Sequence, residues 1–294
     1  MALEASPVEP MTNAQILVAA GEIGAVGKGL TTMPLVLATL CDPSANAEDV
    51  ARIIGQEPGL AARVLRVANS AYYGASGSVS TLERAFVLLG VDAVRGIAAA
   101  ACLNRATSRA AKSAPFDMAE MLRHSIGVAA AAEALARMVR RPLAPEAFIA
   151  GLLHDFGVTL QLHVDRPGLG AILEALRANP TQGLRELERL HCRVGHERCA
   201  TVTFEAWKLP PSLIEVVRCH HDPAATTHSA LTAIVRVADH LSILTGLGYD
   251  FEPVAGPAPV EDMAMLAITA EHLDWVAKSL PDRVSELQAS LAAT

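Results

Sequence analysis

The chain has few aromatic and few charged side chains. Of its 294 residues only 4% are aromatic and 19% are charged, whereas 51% are hydrophobic. So much apolar material with so little charge excludes disorder over most of the chain. Scarce aromatics and abundant alanines argue against a β-sandwich, which is rich in aromatic and β-branched residues, and favour closely packed helices. We therefore expect an all-α protein.

Positive charge is in deficit. The formal net charge is −7 at neutral pH. We do not expect a nucleic-acid partner, because such proteins usually present a basic face. A phosphate-bearing substrate would need local positive charge or a bound metal ion.

Long apolar runs are missing as well. Runs such as Gly96–Leu103 are far shorter than the ~20 residues of a membrane-spanning helix. The opening MALEASPVEP lacks the basic and apolar regions of a secretory signal. We therefore expect a cytoplasmic location and no membrane partner.

The cysteines form no paired motif. There are five of them, an odd number without a CxxC pair, which indicates free thiols in a reducing compartment: Cys41, Cys102, Cys192, Cys199 and Cys219. A thiolate metal site built from the last three, which lie among histidines, is the less favoured alternative, because their spacing does not match a zinc finger.

Proline and capping residues divide the chain into short helices. Prolines follow Asp42 and Glu57 and end helices there, and Asn46 with Asp49 can cap the helix that follows. No segment shows the sustained alternation of paired strands. The predicted helices are Met33–Cys41, Ala47–Gln56, Gly59–Ser70, Thr81–Leu89, Ala93–Thr107, Asp117–Val139, Pro145–Val164, Leu169–Ala178, Gly183–His191, Gly195–Lys208, Pro211–His221, Ser229–Gly246 and a last helix or pair over Val260–Leu291.

The predicted helices fall into two packed halves. The small, polar stretch Thr107–Pro115 is expected to join them. We assign residues 1–27 to an N-terminal leader, 28–112 to an N-terminal helical half, 113–246 to a second helical half and 247–294 to a C-terminal linker and helical extension, with Tyr249–Pro259 as the linker.

Histidine is absent from the first 123 residues, and all ten histidines follow. Several of them, and two aspartates, fall on apolar helix faces: Asp239, for example, lies in a row at steps of four with Val235 and Ile243. A carboxylate on such a face is costly to bury unless it is paired or metal-bound. Imidazoles and carboxylates that converge from several helices are typical of a metal site in a helical bundle. The candidate ligands are His124, His154, Asp155, His196, His220, His221 and Asp239.

Each histidine also has an ordinary explanation. A single inward histidine such as His124 is commonly a hydrogen-bonded core residue. His191 is an alternative to His196, although the position just after Gly195 suits a ligand at the start of a helix. We assign the remaining histidines to surface or packing roles: His163, His228, His240 and His272. The adjacent His-Asp and His-His pairs favour the metal interpretation for the whole set.

Longer stretches of sequence resemble the HDOD family, within the HD and HD-GYP phosphohydrolase superfamily. LTTMPLVLATLCD, DVARIIGQEPGLAARVLRVANSAYYG and VSTLERAFVLLGVDAVRGIAAAA are similar to the first half of that family. GLLHDFG and ELERLHCRVGHERCATVTFEAWKLPPSLIEVVRCHHDP are similar to its second half, so the resemblance extends over residues 30–246. It implies a multi-helical HDOD or HD-like bundle, with residues 113–246 as the HD-like half.

The resemblance also implies roles for the candidate ligands. His124, His154, Asp155 and Asp239 match the residues that hold one metal ion in HD hydrolases. His196, His220 and His221 match the additional histidines of the binuclear relatives, and Asp155 would then bridge the two ions. We expect one or two divalent transition-metal ions (iron, manganese or zinc). If the protein is an enzyme, His154 and Asp155 are its catalytic candidates.

The sequence departs from the catalytic relatives at one position. HD-GYP phosphodiesterases read HDxGK, whereas Val158 stands here where they have the lysine, and no GYP motif follows Asp239. The HDOD resemblance implies a non-catalytic module of bacterial signalling, a scaffold or sensor with a protein partner. The alternatives are a metal-dependent phosphohydrolase acting on nucleotides or cyclic dinucleotides, and a sensor that binds a nucleotide without turnover.

Overall fold

Alanine-rich segments punctuated by proline fold into helices along the whole described chain. A computed structural model describes residues 9–18, 33–70, 79–110, 114–222 and 229–292. Within these ranges there is no β-strand, which agrees with the predicted all-α class. Residues 13–18 are helical. The α-helices that follow are α1 (Met33–Cys41), α2 (Ala47–Gly55), α3 (Pro58–Ala68), α4 (Leu82–Leu89), α5 (Val91–Ala110), α6 (Met118–Val139), α7 (Ala144–Leu153), α8 (Phe156–Val164), α9 (Arg166–Ala178), α10 (Leu184–His191), α11 (His196–Ala206), α12 (Pro211–Cys219), α13 (Ala230–Ser242), α14 (Val260–Leu266) and α15 (Ala270–Ala292).

Most helices lie where the sequence predicts them, and the predicted cap is confirmed. The side chain of Asn46 accepts hydrogen bonds from the N–H groups of Glu48 and Asp49, and the Asp49 carboxylate accepts from the N–H of Asn46. The single helix predicted over Pro145–Val164 is wrong, because the chain breaks between α7 and α8.

The break falls at His154 and Asp155, the residues between the two helices. Consecutive side chains on a regular helix point about 100° apart. A continuous helix would therefore turn these two side chains in different directions, whereas the break lets both face the same centre.

Helix α6 is the central element, since it packs on α5, α7, α13 and α15. The alanines from Ala129 to Ala132 on α6 are buried, and small side chains let α7 come close. A Cβ added to Gly151 of α7 would lie 2.9 Å from the backbone of Ala129. Gly151 is thus required by the backbone-to-backbone approach of the two helices.

The two predicted halves share one hydrophobic core. One connected cluster of buried side chains contains residues from both halves, from Met11 near the N-terminus to Leu291 near the C-terminus, and it includes the buried alanines of α5. Asn104 of α5 donates a hydrogen bond to the carbonyl oxygen of Leu291 at 2.9 Å, so the C-terminal helix is fastened to the first half. The predicted boundaries at residues 27–28 and 112–113 lie outside the described residues.

A smaller apolar cluster lies beside the main core, around α8, α9 and α10. It includes Phe116, Val158, Leu169 and Phe251. The rings of Phe116 and Phe251 meet edge to face, with centroids 4.7 Å apart. This contact brings the chain after α13 back against the start of α6.

Two helical stretches, Arg141–Val164 and Ala230–Leu247, are long and apolar enough to cross a membrane by composition alone. In the fold, 89% and 61% of their most apolar windows are buried inside the protein. Core helices of soluble proteins have the same composition, so these stretches are explained by the protein's own core.

Candidate metal centre

The seven candidate ligands come from separate places in the fold and meet at one centre. His124 lies in the middle of α6, His154 and Asp155 occupy the break between α7 and α8, and His196 is the first residue of α11. His220 and His221 follow the last residue of α12, and Asp239 lies near the end of α13. Their nitrogen and carboxylate oxygen atoms form overlapping groups in which all donor atoms lie within 4.8 Å of one another.

The first group consists of His124, His154 and Asp239. The Nε2 atom of His124 lies 3.3 Å from Oδ1 of Asp239 and 3.4 Å from Nε2 of His154. The side chains of both histidines are inaccessible to solvent, and the Asp239 side chain is 14% exposed.

The second group consists of Asp155, His196, His220 and His221. Oδ1 of Asp155 lies 3.2 Å from Nε2 of His220 and 3.7 Å from Nε2 of His196. Oδ2 of the same carboxylate lies 3.4 Å from Nε2 of His154 and 3.9 Å from Nε2 of His124. Asp155 therefore faces both groups with different oxygens, as a bridging ligand must.

Four histidines are oriented in the same way. The Nδ1 atom of each lies against an oxygen acceptor, so Nδ1 carries the hydrogen and Nε2 is left with its lone pair toward the centre. The acceptors are the backbone oxygens of Leu247 for His124 at 3.0 Å, Gly151 for His154 at 2.7 Å and Val216 for His220 at 3.1 Å, and the Glu188 carboxylate for His196 at 2.9 Å.

This orientation suits a cation between the rings. The Nε2 atoms of His196 and His220 are 3.3 Å apart, and those of His124 and His154 are 3.4 Å apart. Two facing lone pairs at these distances repel unless a proton or a metal ion lies beside them. Metal-ligating histidines typically donate their other ring N–H to a carbonyl or carboxylate, which is the arrangement found here.

Protons supply positive charge to the centre where no cation is bound. Burial opposes protonation of His154, but Asp155, together with Asp239 and the carbonyl of Gly151, raises the pKa of His154 to about 9. Burial also opposes protonation of His196, and Glu188 raises its pKa to about 9. Burial would raise the pKa of Asp155, yet the neighbouring imidazoles, His154 foremost, hold it well below its usual range.

Three buried polar atoms beside the centre have no hydrogen-bond partner: Nε2 of His221, Oδ1 of Asp239 and Oε2 of Glu252. Buried polar atoms in folded proteins are nearly always paired, and an unpaired one signals a missing partner. A nitrogen and two carboxylate oxygens are suitable ligands for a divalent transition metal. The residues at this centre therefore fit the predicted ion.

Sequence reasoning missed three residues of the centre: Glu188, Tyr249 and Glu252. One oxygen of Glu188 accepts from the N–H of His196 and from Gln161, both at 2.7 Å, besides facing the His196 ring. Helix periodicity could have identified Glu188, because it follows the buried Leu184 by four residues and so lies on the same apolar face of the helix.

Tyr249 and Glu252 lie in the segment that the sequence assigns to a linker. The hydroxyl of Tyr249 donates a hydrogen bond to Oδ2 of Asp155 at 2.7 Å. Oε1 of Glu252 lies 3.3 Å from Nε2 of His221. Residues 249–252 thus also supply two side chains to the centre. No periodic pattern marks these two residues, so nothing in the sequence indicates their role.

Other residues considered in the sequence stay away from the centre. His191 is the last residue of α10 and belongs to none of the metal-ligand groups in the described chain, so His196 is the histidine that reaches the site. No cysteine belongs to these groups in the described ranges. His228 lies outside the described residues. Val158 is buried in the smaller apolar cluster.

The chain matches the family model of the HDOD domain over residues 31–223. It belongs to the HDOD domain family. This agrees with the resemblance read from its motifs and with the all-helical fold. No curated protein matches the sequence.

Solved structures of similar fold include three bacterial proteins. An HDOD domain protein of unknown function from Geobacter sulfurreducens is 22% identical with a TM-score of 0.70, over 96% of this chain and 92% of its own. A "Putative phosphohydrolase" from Shewanella amazonensis is 23% identical with a TM-score of 0.71, over 95% and 98%. A "Putative signal transduction protein" from Marinobacter aquaeolei is 20% identical with a TM-score of 0.74, over 97% and 68%. At these identities the likeness establishes the fold alone.

Proposed function

We propose that this HDOD protein is a cytoplasmic signal-transduction module that holds one or two divalent transition-metal ions and does not turn over a substrate. The observation that carries this proposal is the enclosure of the centre. His124, His154, Asp155 and His196 are 0% exposed, and His220 is 4% exposed. Most of the side chains that would hold the ions are therefore closed to solvent, which leaves little room for a substrate phosphate to approach.

The remaining ligands are slightly exposed. The side chains of His221, Asp239 and Glu252 are 15%, 14% and 12% exposed. Tyr249 lies over Asp155 and is itself buried. This closure supports a structural or sensory role for the bound ion over catalysis.

The donor set indicates which ions to expect. Imidazole nitrogen suits iron and zinc, and carboxylate oxygen suits manganese. His124, His154 and Asp239 would hold one ion, and His196, His220 and His221 the other, with Asp155 between them. An ion bound there would replace the protons on the buried imidazoles.

A phosphohydrolase is the second candidate function, and the complete ligand set favours it. Two ions that share a carboxylate ~3.5–4 Å apart can activate water and clamp a phosphate. Substrates would be nucleotides or cyclic dinucleotides, with His154 and Asp155 at the reacting centre. Against this function, Val158 supplies no positive charge next to the His-Asp pair and is buried among apolar side chains.

The signalling role implies a protein partner, and the name of the Marinobacter relative gives it loose support. A nucleotide that binds without turnover is the remaining form of the sensor hypothesis. In either case the ion is expected to stabilise the helices that converge on the centre, which come from α6 to α13.

A matched pair of histidine variants tests the metal assignment. We expect His196→Gln to lower the metal content of the purified protein, because it removes a ligand and leaves Glu188 without its ring partner. His191→Gln changes a histidine five residues earlier that lies outside the centre, and it should retain the wild-type metal content. Equal metal content in the two variants, measured by elemental analysis after incubation with iron, manganese or zinc, would reject the site.

A further inference from the structure

The segment after α13 is held in place by packing and hydrogen bonds to other parts of the fold. The Phe251 ring is 1% exposed and packs in the smaller apolar cluster. The Asp250 carboxylate accepts a hydrogen bond from the N–H of Asp117, the residue before α6, at 3.1 Å. The N–H of Glu252 donates to the carbonyl oxygen of Tyr249 at 2.9 Å. These contacts fix the backbone so that Glu252 points inward.

Glu252 contacts both groups of ligands. Its Oε1 atom lies 3.3 Å from Nε2 of His221, in the second group, and its Oε2 atom lies 4.0 Å from Nε2 of His124, in the first. It is within ligand distance of two further sets, one with His124 and Asp155 and one with His221 and Asp239. Asp155 and Asp239 also lie within ligand distance of histidines from both groups, so Glu252 joins two carboxylates that already connect them.

The atoms around Glu252 lack the partners that a purely structural carboxylate would have. Oε2 of Glu252 and Nε2 of His221 are buried without a hydrogen bond. Both Asp155 and Asp239 face the same space. Three carboxylates that converge on one buried space need a proton or a cation among them to offset their charge.

We propose that Glu252 is an eighth metal ligand, which bridges the two ion positions and fills the coordination position that a water molecule or a substrate phosphate would need. This inference rests on the proposed function, because it presumes that the centre holds metal. It explains why a complete set of histidine and aspartate ligands coexists with a closed centre. A two-ion site hydrolyses phosphate esters through an open position, and Glu252 occupies that position with a side chain of the protein.

As a ligand, Glu252 would also link the ion to residues 249–252, the segment in which Glu252 lies. Tyr249 and Glu252 both reach the centre from residues 249–252, and Phe251 between them anchors the segment in the apolar cluster. Metal binding should therefore hold this segment in place. Removal of the metal should loosen it, and so change the surface it forms with Asp250 and the start of α6.

Glu252→Gln is the sharpest test, because it keeps the shape of the side chain and removes its charge. Manganese and zinc affinities are measured by isothermal titration calorimetry on metal-free full-length protein. We expect Glu252→Gln to weaken binding by at least tenfold, on the scale of losses seen when residues supporting a metal site are replaced. Glu261→Gln on α14 is the control, since this exposed carboxylate lies outside the centre, and it should bind as the wild type does.

The melting temperatures of the metal-free and metal-loaded variant show whether Glu252 acts as a metal ligand or as a structural residue. Replacing a ligand should leave the melting temperature of the metal-free protein unchanged or higher, because one of three converging carboxylates is removed. It should also reduce the rise that metal produces. A structural residue would lower the metal-free value and leave the rise intact. Hydrogen exchange of residues 247–253 should slow on metal addition in the wild type and not in Glu252→Gln.

The outcomes are distinguishable. Wild-type protein that binds neither ion would reject the proposed function itself. Wild-type protein that binds metal, together with Glu252→Gln of equal affinity and an equal metal-induced rise in melting temperature, would overturn the role of Glu252 and leave the metal site standing. Glu252→Asp, which keeps the charge but shortens the reach, should give an intermediate affinity, and an affinity below that of the glutamine variant would also count against the proposal.

Discussion

At the scale of single residues, the centre is built by orienting imidazole rings before any ion arrives. Backbone carbonyls and Glu188 take the Nδ1 hydrogens, so the Nε2 lone pairs are fixed inward. Asp155 has the most demanding position because each of its oxygens faces a different group. Its replacement by alanine is expected to abolish stoichiometric metal, since a bridging ligand serves both ions. Elemental analysis of Asp155→Ala after metal loading checks this, and a full complement of metal would contradict it.

The cysteines provide a second residue-scale prediction. Burial raises the pKa of Cys41 and of Cys102 to about 12, and it raises the pKa of Cys192 and Cys199 as well. Because the thiolate is the reactive form, a thiol reagent at pH 8 should modify only the partly exposed Cys219 quickly in the native protein. All five should react after denaturation. Rapid native modification of two or more would show that the core is open.

Helix periodicity points to a buried residue only where that residue lies on a helix, and the adjacent His-Asp and His-His pairs were recognised by their motif instead. A carboxylate in an apolar row of a helix signals burial in a specific direction, so Asp239 was identified, and Glu188 carried the same signal. Tyr249 and Glu252 lie in irregular chain, where no period links neighbours in sequence to neighbours in space. Their roles follow only from long-range packing, such as the contact of Phe251 with Phe116.

At the scale of helices, close approaches set the positions of the ligands. A Cβ on Gly157 would collide with the backbone carbonyl of His196, so α8 and the start of α11 touch directly at this glycine. Gly157→Ala should therefore lower the free energy of unfolding by about 1–3 kcal/mol, as over-packed substitutions do.

Gly170→Ala is the matched control for this change, because a Cβ there meets no atom within 4 Å. Alanine is favoured over glycine inside a helix by roughly 0.5–1 kcal/mol, so this variant of α9 should be slightly more stable than the wild type. Urea denaturation measures both. Equal stability of the two variants would mean that α8 and α11 are not packed as described.

The break between α7 and α8 cannot be predicted from the local sequence. Ala144–Leu153 and Phe156–Val164 are both apolar and helix-forming. No proline separates them, so their pattern predicts one helix. The break is imposed by the tertiary packing that directs His154 and Asp155 to one centre. Conversely, the end of α1 and the cap of α2 depend on Pro43 and Asn46, which act locally, and they were predicted well.

At the scale of the whole molecule, the N-terminal helices pack against the helices that follow them. The buried alanines of α5 pack on α6 and α7 in the shared core, and Asn104 binds the last helix. Residues 1–112 expressed alone are expected to be insoluble or molten, because this surface would be exposed. Circular dichroism and thermal melting of the fragment test the expectation. A monomeric fragment with a sharp melting transition would show that the first half is an independent domain.

We expect the protein to hold metal in a nearly closed centre and to use it without catalysis. The most direct measurement is the metal content of freshly purified full-length protein, with phosphodiesterase activity toward cyclic dinucleotides and nucleotides assayed on the same sample. We expect one or two divalent transition-metal ions per chain and no metal-dependent hydrolysis above that of Asp155→Ala. Robust hydrolysis that requires the metal and disappears in Asp155→Ala would contradict it and establish the phosphohydrolase instead.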